Sequence, residues 1–263
     1  MKNCLNCGNI LTENYCGGCG QKSDTHRISP KSFMMHDVLH GTFHVERGMF
    51  FTARQSLTRP GQAALDYIEG KRKRYYNVFY LVLITAGLMF FFWHLYQELD
   101  LSRSQANPDA AGFSSTPDSI KIFSKDNKIS IFLFVPFAAL NSYLLFRRKR
   151  LNIAEHSIIA GMVLLGILIL TTIGNVLFFL DLLLPFSDAV ANSISIATVI
   201  LVFLHIGHSY YDAFVNSYTR FGIAIRIVCF FALIFLEIFI ALAIKIGMAT
   251  HWKFGTFSLA LFG

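Results

Sequence analysis

The sequence predicts an all-α membrane protein. It comprises an N-terminal four-Cys zinc ribbon, an amphipathic neck and a bundle of five transmembrane helices, N-inside and C-outside. Three observations carry this reading. Charged residues make up 15% of the 263, against about a quarter in an ordinary soluble domain, while 54% fall in the set AVILMFWYC and Phe alone occurs 27 times. The apolar residues are bunched into windows long enough to cross a hydrocarbon layer about 30 Å thick. Four of the five cysteines stand at metal-ligand spacing near the start of the chain. So much apolar surface excludes disorder and argues against a soluble enzyme fold.

The ribbon occupies residues 1–25. Cys4, Cys7, Cys16 and Cys19 read C-x2-C-x8-C-x2-C, in which each C-x-x-C turn brings two sulfurs to one metal. Gly8, Gly17, Gly18 and Gly20 surround them and permit the backbone such turns need. The spacing predicts one structural Zn2+ per chain. Two disulfides are the alternative; they require an oxidising compartment, whereas the basic residues place this segment in the reducing cytoplasm. So short a segment has almost no core, so the metal is expected to fold it. The opening MKNCLNCGNI lacks the apolar stretch of a cleavable signal, leaving the first span as the insertion signal.

Residues 26–74 form the neck. From Ser32 to Leu57 the apolar residues Phe33, Met34, Val38, Leu39, Phe43, Val45, Phe50, Phe51 and Leu57 recur at roughly helical spacing, against the interruptions of Gly41 and Gly48. Arg59, Pro60 and Gly61 punctuate it, and a second short helix fits Gln62 to Glu69, stopped by Gly70. Residues 1–75 carry more Lys and Arg than Asp and Glu. The neck is therefore expected either on the anionic inner leaflet or against the ends of the bundle.

The membrane domain, 75–263, contains five apolar windows: Tyr75 to Gln97, Ile129 to Phe146, Ser157 to Leu180, Ala189 to Tyr211 and Phe221 to Ile244. Helix is the only sensible form, because open strands would leave backbone groups unpaired in lipid. The second window is the shortest and holds Pro136, which predicts a kink or tilt. Lys71, Arg72, Lys73 and Arg74 precede the first span, and Arg147, Arg148, Lys149 and Arg150 follow the second. An inside N-terminus puts both runs, with Arg220, on the cytoplasmic face of a bacterial inner membrane. Lipid phosphate accounts for the net charge of +7 better than nucleic acid does.

A head ending CGGCGQK (Cys16 to Lys22), a histidine-containing amphipathic stretch, and LTRPGQAALDYIEGKRKRYYNVF (Leu57 to Phe79) running into a span together resemble a family of bacterial zinc-ribbon membrane proteins known only as a domain of unknown function. The resemblance covers the first eighty or so residues. It implies the ribbon and the helical membrane domain, and no activity. Val78 stands where the family's stretch before the first span would carry Pro.

Several polar groups are candidates for chemistry. His36, His40 and His44 recur every four residues, one stripe of a helix, and could share a second metal or meet lipid headgroups and partner carbonyls. The glutamate of an H-E-x-x-H site is missing, so proteolysis has no support. His205, His208 and Asp212 fall on one face of the fourth span and form either a metal or proton site or an interfacial polar cap. Glu237 lies deep in the fifth span, where a carboxyl must be protonated, paired or wetted; Asn141 and Asn175 are candidate partners, as are His94, Asn192 and Ser195. Arg226 and Lys245 sit too far along the helix axis to pair with it directly.

The expected function is non-enzymatic. The ribbon binds an unidentified cytoplasmic protein through a rim of Leu5, Asn6, Tyr15 and Gln21, and the bundle anchors it in the lipid bilayer. A solute or lipid transporter built around Glu237 is the competing class, and an intramembrane metal enzyme using the histidines is the third.

Overall fold

The computed structural model describes residues 2–23, 47–106, 127–181 and 187–249, and the structural statements that follow concern these. In the head, β1 (Lys2–Asn3) pairs antiparallel with β2 (Ile10–Leu11). The chain then repeats the same turn. The Cys4 N–H donates to the Asn9 carbonyl at 2.8 Å and the Gly8 N–H to the Cys4 carbonyl at 2.9 Å; Cys16 to Gln21 and Gly20 to Cys16 do likewise, both at 2.8 Å. Gly8 at φ 80 and Gly20 at φ 71 close the two turns in a region that side chains bearing a Cβ rarely adopt. Tyr15 bridges Lys22 in the second turn, as β1 pairs with β2 in the first.

The neck forms α1 (Arg47–Thr58) and α2 (Pro60–Ile68), joined at Arg59. The second helix starts two residues before its predicted position because Pro60, with its preset φ, occupies the first turn. Gly48 does not break α1. It lies in the first turn, where a Cβ would stand 3.3 Å from the Tyr76 nitrogen, so its small size lets the helix approach that backbone.

Five longer helices follow: α3 (Val78–Ala106), α4 (Asn127–Leu145), α5 (Ile153–Asp181), α6 (Asp188–Phe214) and α7 (Arg220–Ala249). Four have stretches long and apolar enough to cross a membrane: Val78–Leu99, Ile153–Leu180, Ala189–Ser217 and Arg220–Lys245. This is a multi-pass membrane protein. The predicted second span corresponds to α4, which is helical through Pro136, but its apolar stretch is only Leu133–Leu145. At 1.5 Å per residue that stretch covers roughly 20 Å, less than the hydrocarbon thickness. The polar start of the helix, Asn127, Lys128 and Ser130, shortens it.

α5 is the central element and packs against α1, α2, α3, α4 and α6. Its first half is buried among them, with Ile158, Ile159, Met162, Val163, Leu165 and Leu168 fully buried, while Ile173, Leu177 and Leu180 further along are exposed. It begins before the predicted window because Asn152 and Glu155 form a reciprocal capping box: the Glu155 N–H donates to Asn152 Oδ1 at 3.0 Å and the Asn152 N–H to Glu155 Oε2 at 2.8 Å. α6 and α7 lie on the outside, exposing Ile196, Val199, Leu204, Phe221, Val228 and Phe239. So extensive an apolar exterior belongs against lipid.

The α1–α2 hairpin does not lie flat beside the bundle. It packs between α5 and α6. A Cβ on Gly61 would collide with the Ala213 nitrogen and the Ser209 carbonyl, so α2 touches α6 backbone to backbone. A Cβ on Gly166 would strike the His205 ring and come within 2.9 Å of the Ser56 carbonyl, so the end of α1 fills the notch this glycine leaves in α5. α1 and α2 thus pack on α5 and α6, and the part of the predicted neck helix before Arg47 lies outside the described residues.

Candidate metal centre and intramembrane polar groups

The four head cysteines converge. Their sulfurs lie within 4.8 Å of one another, with Cys4 and Cys19 at 3.6 Å and Cys7 and Cys16 at 3.5 Å. Thiolates around a tetrahedral ion with bonds of about 2.3 Å would stand about 3.8 Å apart, so the set fits such an ion. All four cysteines are free, at separations well beyond a disulfide bond.

Backbone N–H groups aimed at the sulfurs, the product of the two turns, set the electrostatics. Burial pushes the Cys19 thiol up, but the Asn6 amide, the Gln21 N–H and the Cys7 and Cys4 sulfurs outweigh it and bring the value down to about 6. Cys16 is also lowered, by the N–H groups of Cys19 and Gly18. At Cys7 the Asn9 N–H favours the thiolate, yet the crowding sulfurs of Cys16, Cys19 and Cys4, together with desolvation, push it up to about 12. Four sulfurs this close cannot all carry negative charge unaided, and a dication resolves that conflict. The closed four-sulfur set leaves no open coordination position, so an ion held there acts structurally.

The predicted rim divides into two parts. Leu5 and Tyr15 are 52% and 60% exposed, joined by Ile10 at 57%. Asn6 instead turns towards Cys19. Gln21 is buried and fastens the head to the bundle: its Nε2 donates to the Gly70 carbonyl at 2.8 Å, and its Oε1 accepts the Lys73 N–H at 3.3 Å. The loop it grips follows α2, turning at Gly70 with φ 103. Lys71 Nζ bonds Asp66 Oδ1 at 2.5 Å, and the Tyr75 hydroxyl donates to Asp66 Oδ2 at 3.1 Å. Burial, then the Asp66 charge, pushes the Tyr75 phenol up to about 12. Thr52 Oγ1 accepts the Tyr76 N–H at 2.8 Å, tying this loop to α1 as well.

His36, His40 and His44 lie outside the described residues. His205, His208 and Asp212 share one face of α6 as predicted, and that face meets the neck hairpin. Asp212 Oδ2 accepts the Gln62 N–H at 2.8 Å and the Asp212 carbonyl accepts Gln62 Nε2 at 2.7 Å, so a carboxylate from α6 serves the N-terminus of α2. His208 Nε2 stands 3.5 Å from the Thr58 carbonyl, and His205 is buried beside Gly166. Among the described residues the cysteine cluster alone has metal-ligand geometry.

Glu237 on α7 faces the side chain of Asn141 on α4, whose Nδ2 is buried without a hydrogen-bond partner. No hydrogen bond joins Asn175, half-buried on α5, to either of them among the described residues. Beside Asn141 is a polar pair that sequence reasoning missed: Ser142 Oγ and His156 Nδ1, 2.8 Å apart and both fully buried. Tyr210 Oη, also buried and unpartnered, sits next to Ser142. His156 was hidden by its position just before the third apolar window. The Asn-x-x-Glu pattern at 152–155 was the one signal that the helix, and with it His156, begins earlier.

The basic runs gather at one end of the bundle. Arg148 Nη1 donates to the Ser217 carbonyl at 3.2 Å, Arg226 Nε donates to the Leu145 carbonyl at 3.1 Å, and Lys149 lies near Glu69 and Asp212. Burial lowers the Lys149 ammonium against the pull of those two carboxylates.

Residues 46–90 match the model of a protein family of unknown function, DUF3667. The match covers the hairpin, the loop that Gln21 grips and the first half of α3. No curated protein and no solved structure matches the chain.

Proposed function

We propose that this protein is a non-enzymatic membrane adaptor of a bacterial inner membrane. Its zinc-folded head presents a docking surface to a cytoplasmic protein, and five spans, N-inside and C-outside, anchor it, the short α4 crossing with its polar first turn, Asn127 to Ser130, at the headgroup level. One observation carries the reading: Leu5, Ile10 and Tyr15 stand exposed on a head with no core of its own, while Gln21 holds that head against the bundle. Exposed aromatic and aliphatic anchors on a rigid support are the usual centre of a protein interface. The convergence of the basic runs at one end supports the orientation, because such clusters accumulate on the cytoplasmic side.

The test is affinity capture of the full chain from crosslinked cells, comparing wild type with Leu5→Ser/Ile10→Ser/Tyr15→Ser. The adaptor reading expects one defined set of proteins to be lost from the triple variant while its zinc content stays at one per chain. Identical captures overturn it.

A second reading, transport, draws on Glu237 facing Asn141 inside the bundle. A Glu237→Gln variant that keeps its expression and thermal stability but loses the cellular phenotype supports transport over the adaptor.

A further inference from the structure

The basic end of the bundle contains two guanidinium groups that no carboxylate among the described residues neutralises. Arg148, in the 3-10 turn Arg147–Lys149, and Arg226, in the second turn of α7, converge on one aromatic ring. The Arg226 Cζ lies 4.2 Å from the centroid of Tyr218 and the Arg148 Cζ 4.9 Å from it, so the two charges are no more than about 9 Å apart. The Tyr218 ring is fixed edge-on against Phe146, with centroids 5.9 Å apart, and its hydroxyl accepts the Arg148 backbone N–H at 3.0 Å.

Among the described residues, every acceptor these guanidiniums reach is a neutral carbonyl. Arg148 Nη1 donates to Ser217, Arg226 Nε to Leu145, and Arg226 Nη1 to Gly222 at 2.7 Å. The nearby carboxylates attend other cations: Asp66 and Glu69 bind Lys71, while Glu69 and Asp212 lie near Lys149. Among the described residues neither arginine has an ion-pair partner. A guanidinium has five N–H donors, so both keep unused ones. Arg226 begins inside the apolar part of α7, and its bond to Gly222 shows the side chain running back towards the helix start. The helix segments that carry the pair also expose apolar side chains, Tyr143 and Leu144 at the end of α4 and Phe221 and Ile225 at the start of α7.

We propose that Arg148, Tyr218 and Arg226 form a specific site for the phosphate of an anionic phospholipid headgroup, whose acyl chains lie along the exposed faces of α4 and α7. Two like charges within about 9 Å of each other at one ring, balanced among the described residues by carbonyl dipoles alone, call for an anion. Guanidinium forks match phosphate oxygens, and the flanking apolar surface suits a lipid better than a free anion.

The site is tested on the full chain in neutral detergent by native mass spectrometry, titrating phosphatidylglycerol, phosphatidylcholine or inorganic phosphate. Phosphatidylglycerol is expected to bind at least about tenfold more tightly than phosphatidylcholine. Each of Arg148→Gln and Arg226→Gln is expected to weaken phosphatidylglycerol binding about fivefold, and the double variant about 25-fold. Lys73→Gln/Arg74→Gln removes the same charge from another part of the same end and is expected to leave binding within about twofold. The single variants carry the comparison where the double variant does not fold. Equal losses in the two double variants would show diffuse attraction and overturn the site, as would equal binding of the two lipids. Displacement of phosphatidylglycerol by inorganic phosphate would overturn the lipid as its occupant.

Discussion

Replacing Gly61 with alanine tests the packing of the neck hairpin into the bundle. An added Cβ would stand 2.7 Å from the Ala213 Cα, and closer still to the Ala213 nitrogen and the Ser209 carbonyl. Ordinary contact needs about 1 Å more, and the neighbouring atoms are helix backbone that cannot rotate aside. α2 must therefore lift off α6. Overpacking of this kind costs about 1–3 kcal/mol. The lift also stretches the two bonds between Gln62 and Asp212, now 2.8 and 2.7 Å, one of them to a carboxylate and together worth about 2–4 kcal/mol. Loss of about half the second term brings the total to roughly 2–5 kcal/mol, offset by less than about 1 kcal/mol of helix propensity. The assay is thermal unfolding of the full chain in detergent, with Gly87→Ala as control, because a Cβ there meets nothing within 4 Å. Gly61→Ala should unfold several degrees lower and Gly87→Ala at or above wild type. Equal midpoints for the two variants would refute the close approach of α2 to α6.

Other consequences follow from the same contacts. Gln21→Ala removes its bonds to Gly70 and Lys73, so hydrogen exchange across 70–75 should accelerate while metal content stays constant; unchanged exchange would mean that Gln21 does not hold the head. The Tyr75 phenol is raised from 10.0 to about 12, so the neutral form is the one the fold favours. Its contribution is complete below pH 10 and lost as pH rises towards about 12. Lys71, raised by its bond to Asp66, also loses its contribution on the alkaline side. Tyr75→Phe should therefore flatten the alkaline fall in stability, and an unaltered profile would contradict the assignment. Asn141 Nδ2 is buried without a hydrogen-bond partner, so Asn141→Leu removes an unpaired polar atom and should leave the unfolding midpoint at or above wild type; a midpoint several degrees lower would contradict that reading.

What the sequence makes legible is local. Four cysteines at fixed spacing, with glycines at the positions that need positive φ, specify the head because each turn is written within about six consecutive residues. The long apolar windows specify the helices for a similar reason. The ends of those helices were less legible: Asn152 and Glu155 are both polar and so fell outside an apolar window, although their reciprocal bonds start α5. Pairwise close approach was not legible. Gly61 reads as punctuation after a proline and Gly166 as one small residue in an apolar run, yet each admits another backbone or ring. Gln21 looks like a surface residue two positions after the fourth head cysteine, and only the position of Gly70 and Lys73 makes it a fastening. The histidines and Asp212 on α6 raised the prospect of metal or proton chemistry because their spacing shows one shared face. The spacing does not show that α1 and α2 occupy that face.

X-ray absorption at the zinc edge of the purified full chain, combined with metal content, tests the central claim most directly. The account predicts one zinc per chain with four sulfur neighbours at about 2.3 Å and no nitrogen ligand. A metal-free chain carrying disulfides, or a zinc with histidine in its shell, would contradict it.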